Sequence, residues 1–144
     1  ILSFIDHAKA TSRLVTGDER VSIDGKGCFV QPTIFADVAA DDRLSREEVF
    51  GPVLAVSAFD TEAEAIGLAN DTIYGLAASV WTSNLSRAHR VSDKLKAGTV
   101  SVNTVDALSP MTPFGGFKQS GIGRDLSLHA FDKFSGLKTT WIKY

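Results

Sequence analysis

Glu47 and Glu48 stand side by side in the stretch REEVFGPVLAV (46–56), followed at once by Phe50, a Gly51-Pro52 turn and an apolar run. Neighbouring carboxylates repel and favour solvent. An ionised carboxylate is also an acceptor-only group whose oxygens can take both hydroxyls of a ribose diol, the pairing used in dinucleotide sites. Alternation along an extended chain puts Glu48 and Phe50 on one side, where the ring could pack against a ribose or nicotinamide face. The competing reading is a solvated acidic pair, and the residues alone leave both open.

Other candidates for chemistry point elsewhere. His7, His89 and His129 fall on three separate predicted helices, without HExxH spacing or a Cys/His cluster. Packing or surface roles are expected of them, and no metal site. Cys28 sits between Gly27 and Phe29 with no neighbouring histidine and no helix start to lower its pKa, so an inert, half-buried thiol is expected. The segment GGFKQSGIGR (115–124) is rich in glycine but fits neither GxxxxGK(S/T) nor a strand-preceded GxGxxG. Taken alone it reads as a turn-rich loop rather than a phosphate cradle.

The elements that must position these residues follow from the hydrophobic pattern. Ile1, Phe4, Ile5 and Ala8 keep the spacing of an amphipathic helix. Gly17-Asp18 and Gly25-Lys26-Gly27 are turn chemistry. Cys28 to Val30 and Ile34-Phe35 read as extended chain, with Pro32 marking an edge or a bend. From Val53 the order is strand (53–59), helix (to about Asn70, with Thr61 and Glu64 spaced as a capping box), strand (76–82), helix (85–95) and strand (99–103). That succession predicts an α/β fold with a parallel β-α-β sheet. Residues 104–124 form a loop with two prolines and four glycines, and a loop of this length in a compact domain is usually functional. A short helix is expected from Asp125 to about Phe134. The tail LKTTWIKY (137–144) reads as a terminal strand whose apolar side chains need a partner.

Composition excludes several function classes. With 44% hydrophobic residues the 144-residue chain can form a real core. A formal net charge of −2 and no Lys/Arg cluster argue against nucleic acid or an anionic membrane as partner. No apolar run approaches the roughly 18 residues of a membrane span. The single cysteine allows no intramolecular disulfide, which suits a reducing, cytoplasmic home. The chain opens on ILSFIDHAKA, already at helical spacing and without methionine, and so reads as cut from the middle of something longer.

Two strings carry more information than spacing. EEVFGPV (47–53) and PFGGFKQSGIGRD (113–125), supported in order by GCFVQPTIF (27–35), NDTIYGLAASVWT (70–82) and KAGTVSVN (96–103), together resemble the C-terminal part of the aldehyde dehydrogenase superfamily. The likeness covers essentially the whole chain. It implies residues 1–135 as the C-terminal part of a catalytic domain and 136–144 as an oligomerisation strand joining copies of the enzyme. By the same resemblance Glu48 accepts hydrogen bonds from the nicotinamide-ribose hydroxyls and Phe50 packs beside that ribose and ring. Phe114 matches an aromatic of the aldehyde tunnel, and Leu108 and Asp106 lie where specificity-setting residues occur.

The implied reaction is NAD- or NADP-dependent oxidation of an aldehyde to a carboxylate through thiolate attack, hydride transfer and thioester hydrolysis. Nothing here matches the family's nucleophilic cysteine, its general-base glutamate, its oxyanion-hole asparagine or its nucleotide-binding sheet. No catalytic residue is therefore expected in this chain, no cofactor bound by it alone, and no activity from it in isolation. The missing N-terminal part is its implied partner. LSRAHRVSDKLKAG (85–98) and GRDLSLHAFDKFSGLKTTWI (123–142) look most like γ-glutamyl-γ-aminobutyraldehyde dehydrogenases. Two rivals stand beside this: a non-catalytic, self-associating α/β module, and a semialdehyde dehydrogenase that releases its thioester to coenzyme A.

Overall fold

A computed structural model describes residues 1–105 and 107–144, and the chain divides into two compact units, Ile1–Thr61 and Glu62–Tyr144. In the first, helix α1 (Leu2–Thr11) buries Ile5 and Ala8, as the spacing requires, and stops where Ser12 turns extended. Strands β1 (Arg13–Thr16), β4 (Thr33–Ala36) and β5 (Val53–Val56) form one sheet in the order β1-β4-β5, antiparallel then parallel. Between them β2 (Arg20–Ile23) and β3 (Lys26–Val30) make a hairpin. Its two-residue loop, Asp24-Gly25, has positive φ at both positions, the turn whose twist suits paired strands.

The extended chain around Pro32 becomes the centre of the sheet rather than its edge. Pro32 sits in the bend before β4, where no ladder hydrogen bond is lost, and β4 then alternates buried Thr33 and Phe35 with half-buried neighbours. Thr33 is a buried polar residue with both partners supplied: its hydroxyl donates to Gln31 O (2.8 Å) and accepts the Asp18 N–H (2.9 Å). Phe35, Ile5, Ala8, Val38 and Leu44 form the core, and Leu44 belongs to a four-residue helix, α2 (Arg43–Arg46).

The second unit is the β-α-β succession expected from the sequence. Helix α3 (Glu62–Asn70) is followed by β6 (Ala77–Val80), α4 (Leu85–Lys94) and β7 (Thr99–Val102), and β6 pairs with β7 in parallel, Ala77 beside Thr99 through Val80 beside Val102. Asn84 caps α4 by accepting the Arg87 N–H at 2.9 Å, and α4 buries Ala88. A forked pair from Arg90 to Glu62 (2.9 and 2.7 Å) links α4 to α3.

Two expectations need correction. The strands from Val53 onward do not make one sheet: β5 pairs with β4, and β6 with β7. Pattern alone cannot tell which strand a parallel strand chooses. The helix expected at 125–134 is a 3-10 segment, Leu128–Lys133, with Leu128, Phe131 and Phe134 exposed. Residues 137–144 pair with no strand within the single chain, and Leu137, Trp141, Ile142 and Tyr144 are exposed. Among the described residues no helix is long and apolar enough to cross a membrane.

Candidate functional site

The Glu47–Phe50 segment leaves the end of α2 in the first unit. Asp42 starts that helix, its carboxylate accepting the Leu44 N–H at 2.7 Å. The Asp42 side chain is only 5% exposed. Burial pushes its carboxyl up, but the Leu44 N–H, the Thr11 hydroxyl and His7 together outweigh it and hold it below the ordinary aspartate range. His7 Nε2 lies 3.3 Å from Asp42 Oδ2 without the alignment of a hydrogen bond, so the contact is electrostatic.

Downstream of the helix the two glutamates part company. Arg43 stacks over the Phe4 ring (3.9 Å) and donates to Glu47 Oε2 at 3.2 Å, one turn on. Glu48 is exposed and makes no hydrogen bond or ion pair among the described residues. The chain does not stay extended as alternation assumed. Phe50 adopts φ 52°, a left-handed conformation that costs a non-glycine residue about 1 kcal/mol, and its ring is 86% exposed. Glu48 and Phe50 nevertheless line one open groove, with Leu44, Val49 and Val53 behind them.

The long loop of the second unit is tied down by its backbone. Phe114 and Asp125 exchange both backbone hydrogen bonds (2.8 and 2.7 Å), closing 114–125 into a cycle. Arg124 donates to Gly116 O (2.9 Å) and Gly123 O (2.7 Å) across it. Lys118 Nζ donates to Asn70 O (2.8 Å) and Thr72 O (2.9 Å), and the Asn70 side chain in turn donates to Lys94 O and accepts the Lys96 N–H. Gly75 accepts the Phe117 N–H and donates to Ser120 Oγ. Gly115 and Gly116 are required for space rather than for φ: a Cβ would meet Gly123 O at 2.5 Å on the first and Ser120 Cβ at 2.6 Å on the second. Loop N–H groups at 117, 119 and 121 are bonded within the chain, which accords with a turn-rich loop and not a phosphate cradle.

Leu108 and Phe114 come together in a groove over β6 and β7, floored by Ala77, Ala78, Thr99 and Ser101. The small residues of these strands leave that space open. Asp106 lies outside the described residues. Each expected pair is thus assembled within its own unit, Glu48 with Phe50 and Leu108 with Phe114. Cys28 is exposed, not half-buried, because β3 belongs to a hairpin with little packed on it. Sequence reasoning missed Asp42, Asn70 and Lys118. Asp42 lacked the glutamate of a capping box three residues on, and a contact spanning 48 residues leaves no local signal.

The parallel strand pairs and the helices between them define an α/β protein. The aldehyde dehydrogenase family profile matches residues 1–140, and the chain belongs to that family. NADP/NAD-dependent aldehyde dehydrogenase PuuC of Escherichia coli (strain K12) is 51% identical over 140 residues, 97% of this chain and 28% of the relative. The P. syringae indole-3-acetaldehyde dehydrogenase AldA, solved as a cysteine-to-alanine mutant in complex with NAD+ and IAA, superimposes with TM-score 0.93 at 54% identity, covering 99% of this chain and 29% of that one. A γ-glutamyl-γ-aminobutyraldehyde dehydrogenase from Burkholderia cenocepacia J2315 does so with TM-score 0.88 at 54% identity, over 92% and 27%. The chain spans less than a third of the length of these relatives.

Proposed function

We propose that this chain is the C-terminal part of the catalytic domain of an NAD- or NADP-dependent aldehyde dehydrogenase, and that Glu48 and Phe50 hold the nicotinamide ribose. The free state of Glu48 beside its committed neighbour Glu47 carries the reading. A ribose diol offers two donors, and Glu48 is an acceptor-only group with both oxygens available. The exposed Phe50 ring, in the same groove, suits the sugar and ring face. The dinucleotide, when bound, accepts the hydride. Positioning is this chain's share of the reaction, a contribution that works through proximity.

Leu108, Asp106 and Phe114 form part of the aldehyde channel, and the nucleophilic thiol comes from the part of the enzyme this chain lacks. The exposed apolar residues of 137–144 support a homo-oligomer joined through that tail, with 136–144 as the oligomerisation strand of a cytoplasmic enzyme. The Burkholderia relative supports γ-glutamyl-γ-aminobutyraldehyde as the substrate, to be assayed against indole-3-acetaldehyde because AldA is likewise 54% identical. The isolated chain turns over no aldehyde.

The test is Glu48→Gln in the full-length enzyme. Charge-assisted hydrogen bonds contribute about 1.5–3 kcal/mol, so kcat/KM for the dinucleotide falls roughly tenfold or more while aldehyde KM holds. An unchanged kcat/KM refutes the assignment. The same exposed tail favours a second reading, a self-associating module without catalysis, and dehydrogenase activity of the full-length protein excludes it.

A further inference from the structure

Resting on the cofactor reading of Glu48, the geometry points to Asp42 as a positioning residue, one that fixes where Glu48 and Phe50 project without touching the cofactor. The helix that delivers them, α2, has four residues, far too few to hold itself in water. Its first turn is fixed by Asp42. Asp42 Oδ1 takes the Leu44 N–H, and Asp42 O takes the N–H groups of Ser45 (3.0 Å) and Arg46 (3.2 Å). The other carboxylate oxygen faces α1, where His7 Nε2 lies 3.3 Å away and the Thr11 hydroxyl donates to His7 O. His7 and Thr11 are four residues apart and therefore on one face of α1.

Asp42 thus links a ten-residue helix to a four-residue one through a nearly buried side chain. The link carries direction as well as strength. Leu44, two residues on, is 7% exposed and packs with Ile5, Ala8 and Phe35, so α2 can take one rotation about its axis. Arg43 then reaches Glu47, and this leaves Glu48 as the carboxylate turned free. At the far end of the segment a Cβ on Gly51 would stand 2.5 Å from the Ile1 side chain, so the loop closes on the start of α1 as well. Without the cap at Asp42 the segment 43–50 keeps the Leu44 packing, the Arg43–Phe4 contact and the Ser45 hydroxyl bond to Ala39 O (2.8 Å), but loses the bond that closes its first turn.

The experiment uses the full-length enzyme and three variants, Asp42→Ala, Asp42→Asn and Glu48→Gln. Binding of NAD+ is compared with binding of ADP, which lacks the nicotinamide riboside, and hydrogen exchange is followed across 43–50. Asp42→Ala is expected to weaken NAD+ about fivefold, the factor a lost helix cap typically represents, with ADP unchanged and exchange raised in 43–50 only. Asp42→Asn keeps a capping oxygen and stays within about twofold of the parent. Should the alanine variant not fold, Asp42→Gly removes the same carboxylate at a position where glycine is tolerated.

Equal weakening of NAD+ and ADP with exchange raised throughout makes Asp42 a general stability residue and overturns the inference. So does an Asp42→Ala protein with unchanged exchange while Glu48→Gln loses NAD+. An asparagine variant as impaired as the alanine one overturns the cap. If Glu48→Gln binds NAD+ normally, the cofactor reading falls by itself, and exchange in 43–50 still decides whether Asp42 orders the segment.

Discussion

Glycine-to-alanine substitution at Gly98 and at Gly67 is expected to act with opposite sign, and the contrast tests how the loop carrying Phe114 is held. Gly98 lies between α4 and β7 and donates its N–H to Gly75 O at 3.0 Å. A Cβ there would stand 1.7 Å from Gly115 O and 2.8 Å from Gly115 C. A carbon does not approach that oxygen closer than about 3.0 Å, so the two backbones must separate by roughly 1.3 Å. Both partners are main chain, so no flexible side chain can swing aside. Forced overpacking of this kind costs about 1–3 kcal/mol. Phe114 adjoins Gly115, so the groove wall moves as well, and displacements near 1 Å cost rates by up to roughly a hundredfold.

Gly67 sits inside α3 with nothing within 4 Å of the added carbon. The alanine there stabilises by about 0.5–1 kcal/mol through reduced backbone entropy of the unfolded chain. Thermal unfolding of both variants of the full-length enzyme, with kcat/KM for a bulky and a small aldehyde, gives the readout. Gly98→Ala should lower the midpoint and discriminate more against the bulky aldehyde, while Gly67→Ala raises the midpoint and leaves kinetics alone. A Gly98→Ala protein as stable and active as its parent would mean that the Gly98–Gly115 contact does not hold the loop.

Other consequences can be checked on the same protein. Lys118→Met removes the donor to Asn70 O and Thr72 O at the end of α3; about 1 kcal/mol of stability should go, with faster proteolysis within 113–124, and unchanged cleavage there would show that the backbone bonds suffice. Folding lowers the Asp42 pKa, so the folded state holds fewer protons there than the unfolded chain. That stabilisation is complete above the ordinary aspartate range and is lost as pH falls through and below it. Urea unfolding from neutral pH to about pH 3 should therefore show less acid sensitivity in Asp42→Asn than in the parent, and parallel curves would refute the assignment.

Periodicity determined much of this protein by itself. The spacing of Ile5 and Ala8 gave α1 its buried face, and alternation of strand and helix from Glu62 to Val102 gave the parallel pair β6–β7. These are local signals, set by neighbours a few residues apart. The strings around Glu48 and Phe114 likewise carried the family resemblance without any structure. Tertiary structure alone decided that β5 pairs with β4 and that Phe50 turns left-handed. It also decided that Gly98 meets Gly115, and that Lys118 reaches across 48 residues to the end of α3. The reason is that a strand, a carboxylate or a glycine is chemically the same wherever it stands. Its partner is chosen by packing between distant segments, as the end of α3 is for the Lys118 ammonium.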